Sequence, residues 1–377
     1  MRILIIDKMT KKKIAWITPS CFVDVDLPII KELQIVYDIH WYVVLQPKDG
    51  ENTKAYIEET LGKDKIVSIT YEWQVYRMRS FKNAFFIYRL IRKAKEGTPY
   101  VYYTSEYALP FGVWLYKWLL PLRKTVVACH NVTTPKGASN EKFTRFYTSK
   151  WLSTFKNIQT FSYSQYKALV SAYNNKNVLM AHLALKDYGE PTKAVKKTDV
   201  TFLVFGNIIR YKRIDLLLKA VNILNRKGIF NFKVKIAGNC KDWASNYAPL
   251  IEHPEIYDLD IRRIPNEAVA DLFAESDYFV MPYQDIAQSG AITVAFRYNL
   301  PVLCSDIEQF SEFVTDGVTG FTFKSQDEQA LADKMEWILN NHQQIYNSVK
   351  ANEQKFVDEN LTLASIVNKY KAFFDAL

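Results

Sequence analysis

Glycine-rich nucleotide loops are missing from this chain. Its 377 residues contain neither Gly-x-Gly-x-x-Gly nor Gly-x-x-x-x-Gly-Lys-Ser/Thr, the patterns in which loop amides cradle phosphates. No apolar run reaches the ~18 residues needed to span a bilayer. The start, Met-Arg-Ile-Leu-Ile-Ile-Asp-Lys, offers a hydrophobic stretch too short for a signal peptide and no small-residue cleavage site. Cys21, Cys129, Cys240 and Cys304 stand singly, which fits buried small side chains better than a disulfide framework or a zinc site. Asn131-Val-Thr133 matches a glycosylation sequon, a chance match in a chain with no export signal. These absences lead to the expectation of a cytoplasmic protein.

What is present is globular and uneven in charge. A hydrophobic content of 49% excludes a disordered chain, and the length favours two domains. Residues 1–195 hold 29 Lys and Arg against 16 Asp and Glu, whereas residues 196–377 hold 20 against 24. The basic half should face something anionic.

The second half alternates short apolar runs with amphipathic stretches. Strands are expected near 201–205, 232–238, 260–264, 278–282 and 301–304, with helices near 214–227 and from Asn266, Ser289 and Glu308. Such alternation implies a parallel sheet covered on both faces. The first half repeats the theme, with strands at 13–18, 40–45, 100–103 and 125–129. The polar segment 188–198, containing Pro191, is the candidate linker. The expected division is 1–190, then 198–345, then C-terminal helices at 346–377 that pack back on the first domain. The fold class is α/β, with two doubly wound domains.

Three strand ends in the second half carry candidate chemistry. After the run that ends at Gly206 come Arg210 and Lys212, just ahead of a helix. The helix macrodipole disfavours cations there, so an anion between them and the helix makes sense of the placement. Such a strand end is where an open α/β sheet receives phosphate. In Met281-Pro-Tyr-Gln-Asp285-Ile-Ala-Gln288-Ser289-Gly290-Ala291, Ser289 is a good N-cap and Gly290 lets a ligand approach, so the amides of Gly290 and Ala291 can take a second phosphate oxygen. In Ile264-Pro265-Asn266, Asn266 can cap a helix, and exposed backbone beside Ile264 can meet the edge of a planar base.

In order, Gly206 with Lys212, Ile264-Pro-Asn-Glu267, Pro282-Tyr283 with Gln288-Ser-Gly290, Asn299-Leu-Pro-Val302 and Glu312-Phe-Val-Thr-Asp-Gly-Val-Thr-Gly320-Phe resemble the signature of GT-B glycosyltransferases of family 4. The resemblance covers the second half well and the first half weakly. It implies two Rossmann-like domains facing across a cleft, and retaining transfer of a sugar from a nucleotide donor, a UDP- or GDP-sugar, with no metal and no further cofactor. It implies that Lys212 neutralises the donor pyrophosphate with help from a neighbouring arginine. Asn207 stands where the family has that arginine, and Arg210 is the substitute. Ile286 and Val294 stand where the family has a pair of glutamates. Asp285 matches the acid of a branch that lacks the pair and is assigned to the donor sugar hydroxyls, with Glu312 the candidate for the ribose.

Cys129-His130-Asn131 resembles the family's His-Asn/Asp pair beside the reacting sugar. The loop Thr18-Pro-Ser-Cys-Phe-Val-Asp24-Val-Asp26 is the expected acceptor site, with Asp24 and Asp26 binding hydroxyls. The resemblance thus implies a glycan acceptor, lipid-linked, in surface polysaccharide assembly. Two alternatives stand beside it: a nucleotide-sugar or glycan binding protein that catalyses weakly or not at all, and a soluble transferase acting on a small acceptor.

One further pattern concerns a surface. Arg77, Arg79, Lys82, Arg89, Arg92, Lys93 and Lys95 are interleaved with Phe81, Phe85, Phe86, Ile87, Tyr88, Leu90 and Ile91, and a second basic-aromatic segment runs from Trp114 to Lys124. The pattern suits an anionic inner membrane leaflet, or else a core stripe with a solvated cationic face. Nucleic acid is not the expected partner, since no recognised module accompanies the charge.

Overall fold

The computed structural model describes residues 11–47, 50–62, 67–76, 80–105, 111–133, 141–192 and 199–377. Arg77, Arg79 and residues 193–198 of the expected linker lie outside them. Two compact units form, one from residues up to Ala184 together with Leu363–Leu377, the other from Leu185–Thr362.

The first unit threads β1 (Lys13–Pro19), α1 (Val23–Leu33), β2 (Asp38–Leu45), α2 (Gly50–Leu61), β3 (Ser68–Trp73), α3 (Lys82–Ala94), β4 (Val101–Thr104), α4 (Gly112–Leu119), β5 (Thr125–Ala128), α5 (Glu141–Thr154), β6 (Asn157–Thr160), α6 (Tyr163–Ala172) and β7 (Asn177–Met180). Its parallel sheet has the order β3-β2-β1-β4-β5-β6-β7. The chain winds outward from β1 to β3, then crosses to β4 on the other side of β1. That reversal makes a switch point at the carboxyl ends of β1 and β4, the place where open α/β sheets take ligands. Apolar clusters cover both faces.

Three of these strands were not legible as strands. The short polar run of β6 is wholly buried because its amides find tertiary partners. Asn157 Nδ2 donates to the carbonyls of Arg123 (2.9 Å) and Thr125 (3.3 Å), and Gln159 meets the hydroxyls of Tyr103 (2.6 Å) and Tyr370 (2.5 Å). β3 and β7 are the sheet's two edges and only partly buried, so their apolar signal is diluted.

The second unit contains β8 (Val200–Phe205), α7 (Ile214–Arg226), β9 (Phe232–Ala237), α8 (Trp243–Asn246), β10 (Tyr257–Asp260), α9 (Asn266–Ala274), β11 (Tyr278–Met281), α10 (Gly290–Arg297), β12 (Val302–Ser305), β13 (Gly320–Phe323) and α11 (Glu328–Asn360). The sheet order is β10-β9-β8-β11-β12-β13, all parallel. The switch point falls between β8 and β11.

Several expectations are corrected here. The strand expected at 260–264 lies at 257–260, because the Arg262 amide turns back to the Asp260 carbonyl at 3.0 Å. No helix follows Glu308; residues 307–313 make successive i to i+3 turns that tuck Phe310 into the core. Asn266 does not cap α9: the N-cap is Pro265, with no side-chain bond. The division expected at 345 falls inside α11, which runs unbroken for 33 residues from its Asp327 cap. The chain rejoins the first unit only with α12 (Leu363–Asp375), whose Ile366, Val367, Tyr370 and Phe374 enter the core beside Trp16.

Candidate functional site

The two strand ends at the second unit's switch point are joined by backbone. The turn after β8 and the loop after β11 meet where the Gln284 amide donates to the Tyr211 carbonyl at 3.0 Å. Gly206 has φ of +98°, a conformation open to glycine, and lets the chain leave β8 sharply while its amide still pairs with the Ala237 carbonyl (2.9 Å). Arg210–Lys212 then forms one 3-10 turn. Arg213 closes it in the left-handed region at φ +49° and clamps Asp215 bidentately, with both bonds at 2.9 Å.

Lys212 turns inward. Its residue is 8% exposed, and its ammonium stands 5.4 Å from the ring centroid of Tyr283, whose π-face is its attractive neighbour. Among the described residues no carboxylate forms an ion pair with it. Burial alone pushes its pKa down to about 8. A buried cation lacking a counter-charge is costly unless an anion arrives.

Arg210 points elsewhere. It is exposed and lines a cavity of about 630 Å³ with Arg213, Asp215, Asp242, Tyr247 and Gln284, a wall to which Lys212 does not contribute.

Across the switch point, Ser289 caps α10 as the sequence suggested, accepting from the Ile292 amide at 3.3 Å. Gly290 is exposed, and a Cβ placed on it would meet nothing within 4 Å. Space is thus open at the Gly290 Cα, and the start of a helix is where amides can hold an anion. Asp285 is half-buried and accepts from Gln309 Nε2 at 3.5 Å. Ile286 and Val294 are core residues, 8% and 2% exposed. Ile264 packs into the same core, Asn266 is exposed, and Gln288 and Glu312 are half-buried.

In the first unit, His130 follows β5 and is 2% exposed. Its imidazole is sandwiched between Phe22, at 3.6 Å and 4°, and Phe161, at 4.4 Å and 14°. Burial drives its pKa down to about 3, so the ring is neutral near pH 7. Gln165 braces the loop beyond it, accepting from the amides of Val132 (2.7 Å) and Thr133 (3.2 Å). Phe22, Phe161 and Gln165 were missed in the sequence because their roles depend on three separate strand ends meeting.

The two acceptor candidates part company. Asp24 is exposed on the first turn of α1. Asp26, by contrast, is wholly buried, and its Oδ2 accepts from Trp16 Nε1 (3.0 Å), Thr18 Oγ1 (2.6 Å) and Ser105 Oγ (3.3 Å). It fastens the β1–α1 turn from within and has no surface to offer a substrate hydroxyl. Desolvation raises its pKa to about 6, against the three hydrogen bonds that lower it.

Among the described residues no three His, Cys, Asp or Glu side chains gather as a metal site requires, and no helix is long and apolar enough to cross a membrane.

Comparison with known proteins bears on the fold and on the second unit. Residues 199–341 match the family model for glycosyl transferases group 1. A 41.2 kDa protein in the cps region of Klebsiella pneumoniae, described as uncharacterized, is 23% identical over 220 residues, covering 55% of this chain and 58% of its own. The match therefore spans little more than half of that relative. Among solved structures, a glycosyltransferase from Rickettsia africae superposes with a TM-score of 0.74 at 16% identity, covering 97% of this chain and 98% of its own. HepE from Anabaena, in complex with UDP and glucose, gives 0.72 at 13% identity, covering 97% and 100%. In fold this chain is a GT-B protein, and residues 199–341 of its second unit match the model of the glycosyl transferases group 1 family.

Proposed function

We propose that the protein is a glycosyltransferase that moves a sugar, with retention, from a nucleotide-sugar donor to a glycan acceptor. The observation that carries this reading is Lys212, a buried cation without a carboxylate partner among the described residues, on a turn that the Gln284 amide ties to the loop between β11 and α10 at the switch point. A diphosphate supplies the missing counter-charge. Lys212 and the amides of Gly290 and Ala291 bind it, and the exposed side chain of Arg210 swings in from the neighbouring cavity to add a second cation when the donor is bound. As the glycosidic bond breaks, negative charge grows on the leaving diphosphate, and stabilising it is the main catalytic task.

In this reading no metal is needed for that charge. The departing phosphate takes the acceptor proton, and His130 contacts the donor sugar as a neutral hydrogen-bonding group. Asp285 holds donor hydroxyls, Glu312 the ribose, and Asn266 with the backbone at Ile264 the base. Asp24 is the remaining acceptor candidate. The donor is a UDP- or GDP-sugar; that HepE was solved with UDP and glucose supports UDP. The cps-region relative supports surface polysaccharide assembly, and a lipid-linked glycan acceptor would bring the enzyme to the inner membrane face.

A second reading has one specific observation behind it. Ile286 and Val294, where family members carry glutamates, are buried apolar residues, as a donor-binding protein that no longer catalyses would tolerate. A screen of nucleotide sugars separates the two. The enzyme releases UDP or GDP, and Lys212→Ala abolishes release. Wild type that binds donor without turnover, under any acceptor tried, overturns the transferase reading.

A further inference from the structure

The most unusual surface of the first unit is aromatic and basic at once. On α3, Ile87, Leu90, Ile91 and Ala94 face the core, while Phe81, just ahead of the helix, and Phe85 and Tyr88 are 82%, 64% and 40% exposed. The spacing of 81, 85 and 88 puts these rings on one outward stripe. α4 packs on α3, and α5 packs on α4. They extend the surface with Trp114 (39%), Trp118 (75%) and Phe146 (51%). Ring contacts tie the elements together: Phe81 meets Phe111 at 5.4 Å, and Trp114 meets Tyr147 at 6.3 Å.

The charge on these helices is strongly basic. α3, α4 and α5 carry eight Lys and Arg against a single acid, Glu141. Two of the eight are internally paired, Lys93 with Glu72 and Arg145 with Glu141. Others lie over the exposed rings, Arg89 at 6.0 Å from Phe85 and Lys150 at 5.4 Å from Phe146. Rings and cations therefore form one mixed surface, with each apolar body beside a charged head.

We infer that this three-helix face is a docking surface for an anionic lipid bilayer. Helices lying in the interface plane put aromatic rings at the headgroup and acyl boundary and cations among the lipid phosphates. Amphipathic Trp and Tyr and snorkelling Lys and Arg suit that boundary. Each cation close to an anionic surface strengthens attachment roughly fivefold, and the rings add the apolar anchorage that charge alone lacks. A site for an acidic protein would need the cations without this array of exposed rings. The inference stands apart from the donor site, since none of these residues belongs to it.

The test is sedimentation of the full chain with vesicles of phosphatidylcholine containing one-third phosphatidylglycerol, against pure phosphatidylcholine, at 0.05 M and 0.5 M salt. Binding to the anionic vesicles is expected at low salt, at least tenfold weaker at high salt and absent with pure phosphatidylcholine. The variant Phe81→Ser/Phe85→Ser/Trp118→Ser should lose at least tenfold of the low-salt binding with an unchanged melting temperature, because its side chains are exposed. The variant Lys82→Glu/Arg89→Glu/Lys117→Glu should lose it too. Both should retain any nucleoside diphosphate release shown by wild type. Failure of wild type to sediment at low salt, or wild-type binding by the aromatic variant, overturns the assignment; the second outcome reveals diffuse cationic attraction only.

Discussion

A Cβ on Gly238 would lie 2.0 Å from the carbonyl oxygen of Gly206 and 2.7 Å from its carbonyl carbon. The end of β9 is thus pressed against the backbone from which the Lys212 turn departs. Gly238→Ala must push that turn outward, because backbone atoms cannot rotate aside. We expect a loss of about 1–3 kcal/mol in urea unfolding, the range for an overpacked site, together with loss of nucleoside diphosphate binding measured by calorimetry. An unperturbed variant would show that the turn has slack the structure does not suggest.

Lys212 gives a pH signature. Its folded pKa, about 8, is below the ordinary 10.5, so between these values the unfolded chain holds a proton that the folded chain has released. Stability of the ligand-free protein should therefore rise with pH across that window, with a constant penalty below it. Diphosphate binding runs the other way. The anion needs the ammonium, so the Kd for UDP or GDP should rise up to tenfold per pH unit above about 8. In Lys212→Met that pH dependence should vanish and binding at pH 7 should be weak; a slope surviving the substitution would assign the titration to another group.

His130 should show no titration in the working range. With a pKa near 3 in the folded state against an ordinary 6.5, it contributes stability that is complete above 6.5 and lost as pH falls toward 3. A pH–rate profile between 5 and 8 should keep its shape in His130→Gln while kcat falls. His130→Ala empties the space between Phe22 and Phe161 and should also lower stability by about 2–3 kcal/mol. An acid limb near pH 6 that disappears in His130→Gln would contradict the neutral ring.

Asp24 and Asp26 are two residues apart and should behave oppositely. Asp26→Ala strands Trp16 Nε1–H without its acceptor, at about 1–3 kcal/mol, visible as a lower melting temperature. Asp24→Ala, at an exposed helix position, should leave melting within a degree or two, and any change should appear in acceptor KM. Equal melting of the two variants would remove Asp26 from its role as the fastener of the β1–α1 turn.

Ser289→Ala tests the α10 cap. Loss of the bond to the Ile292 amide should destabilise the protein by about 1 kcal/mol and loosen diphosphate binding, read by calorimetry. A stability loss with unaltered Kd would detach the helix start from the donor site.

The alternation of apolar runs with amphipathic stretches, and the glycine that ends β8, determined the class of fold and the place of the turn that carries Lys212. Both are local consequences of chain chemistry: strand and helix periods, and a backbone angle open to glycine. Ser289 as a cap was legible for the same reason, since its partner is only three residues away.

Tertiary structure alone decided the rest, because burial and partner choice depend on residues far apart in sequence. It sent Lys212 inward and Arg210 outward from one turn, made Asp26 a core fastener beside an exposed Asp24, and closed two phenylalanines on His130. It also buried Asn157 and Gln159 in a strand their polarity had concealed, since only distant carbonyls and hydroxyls could satisfy those amides.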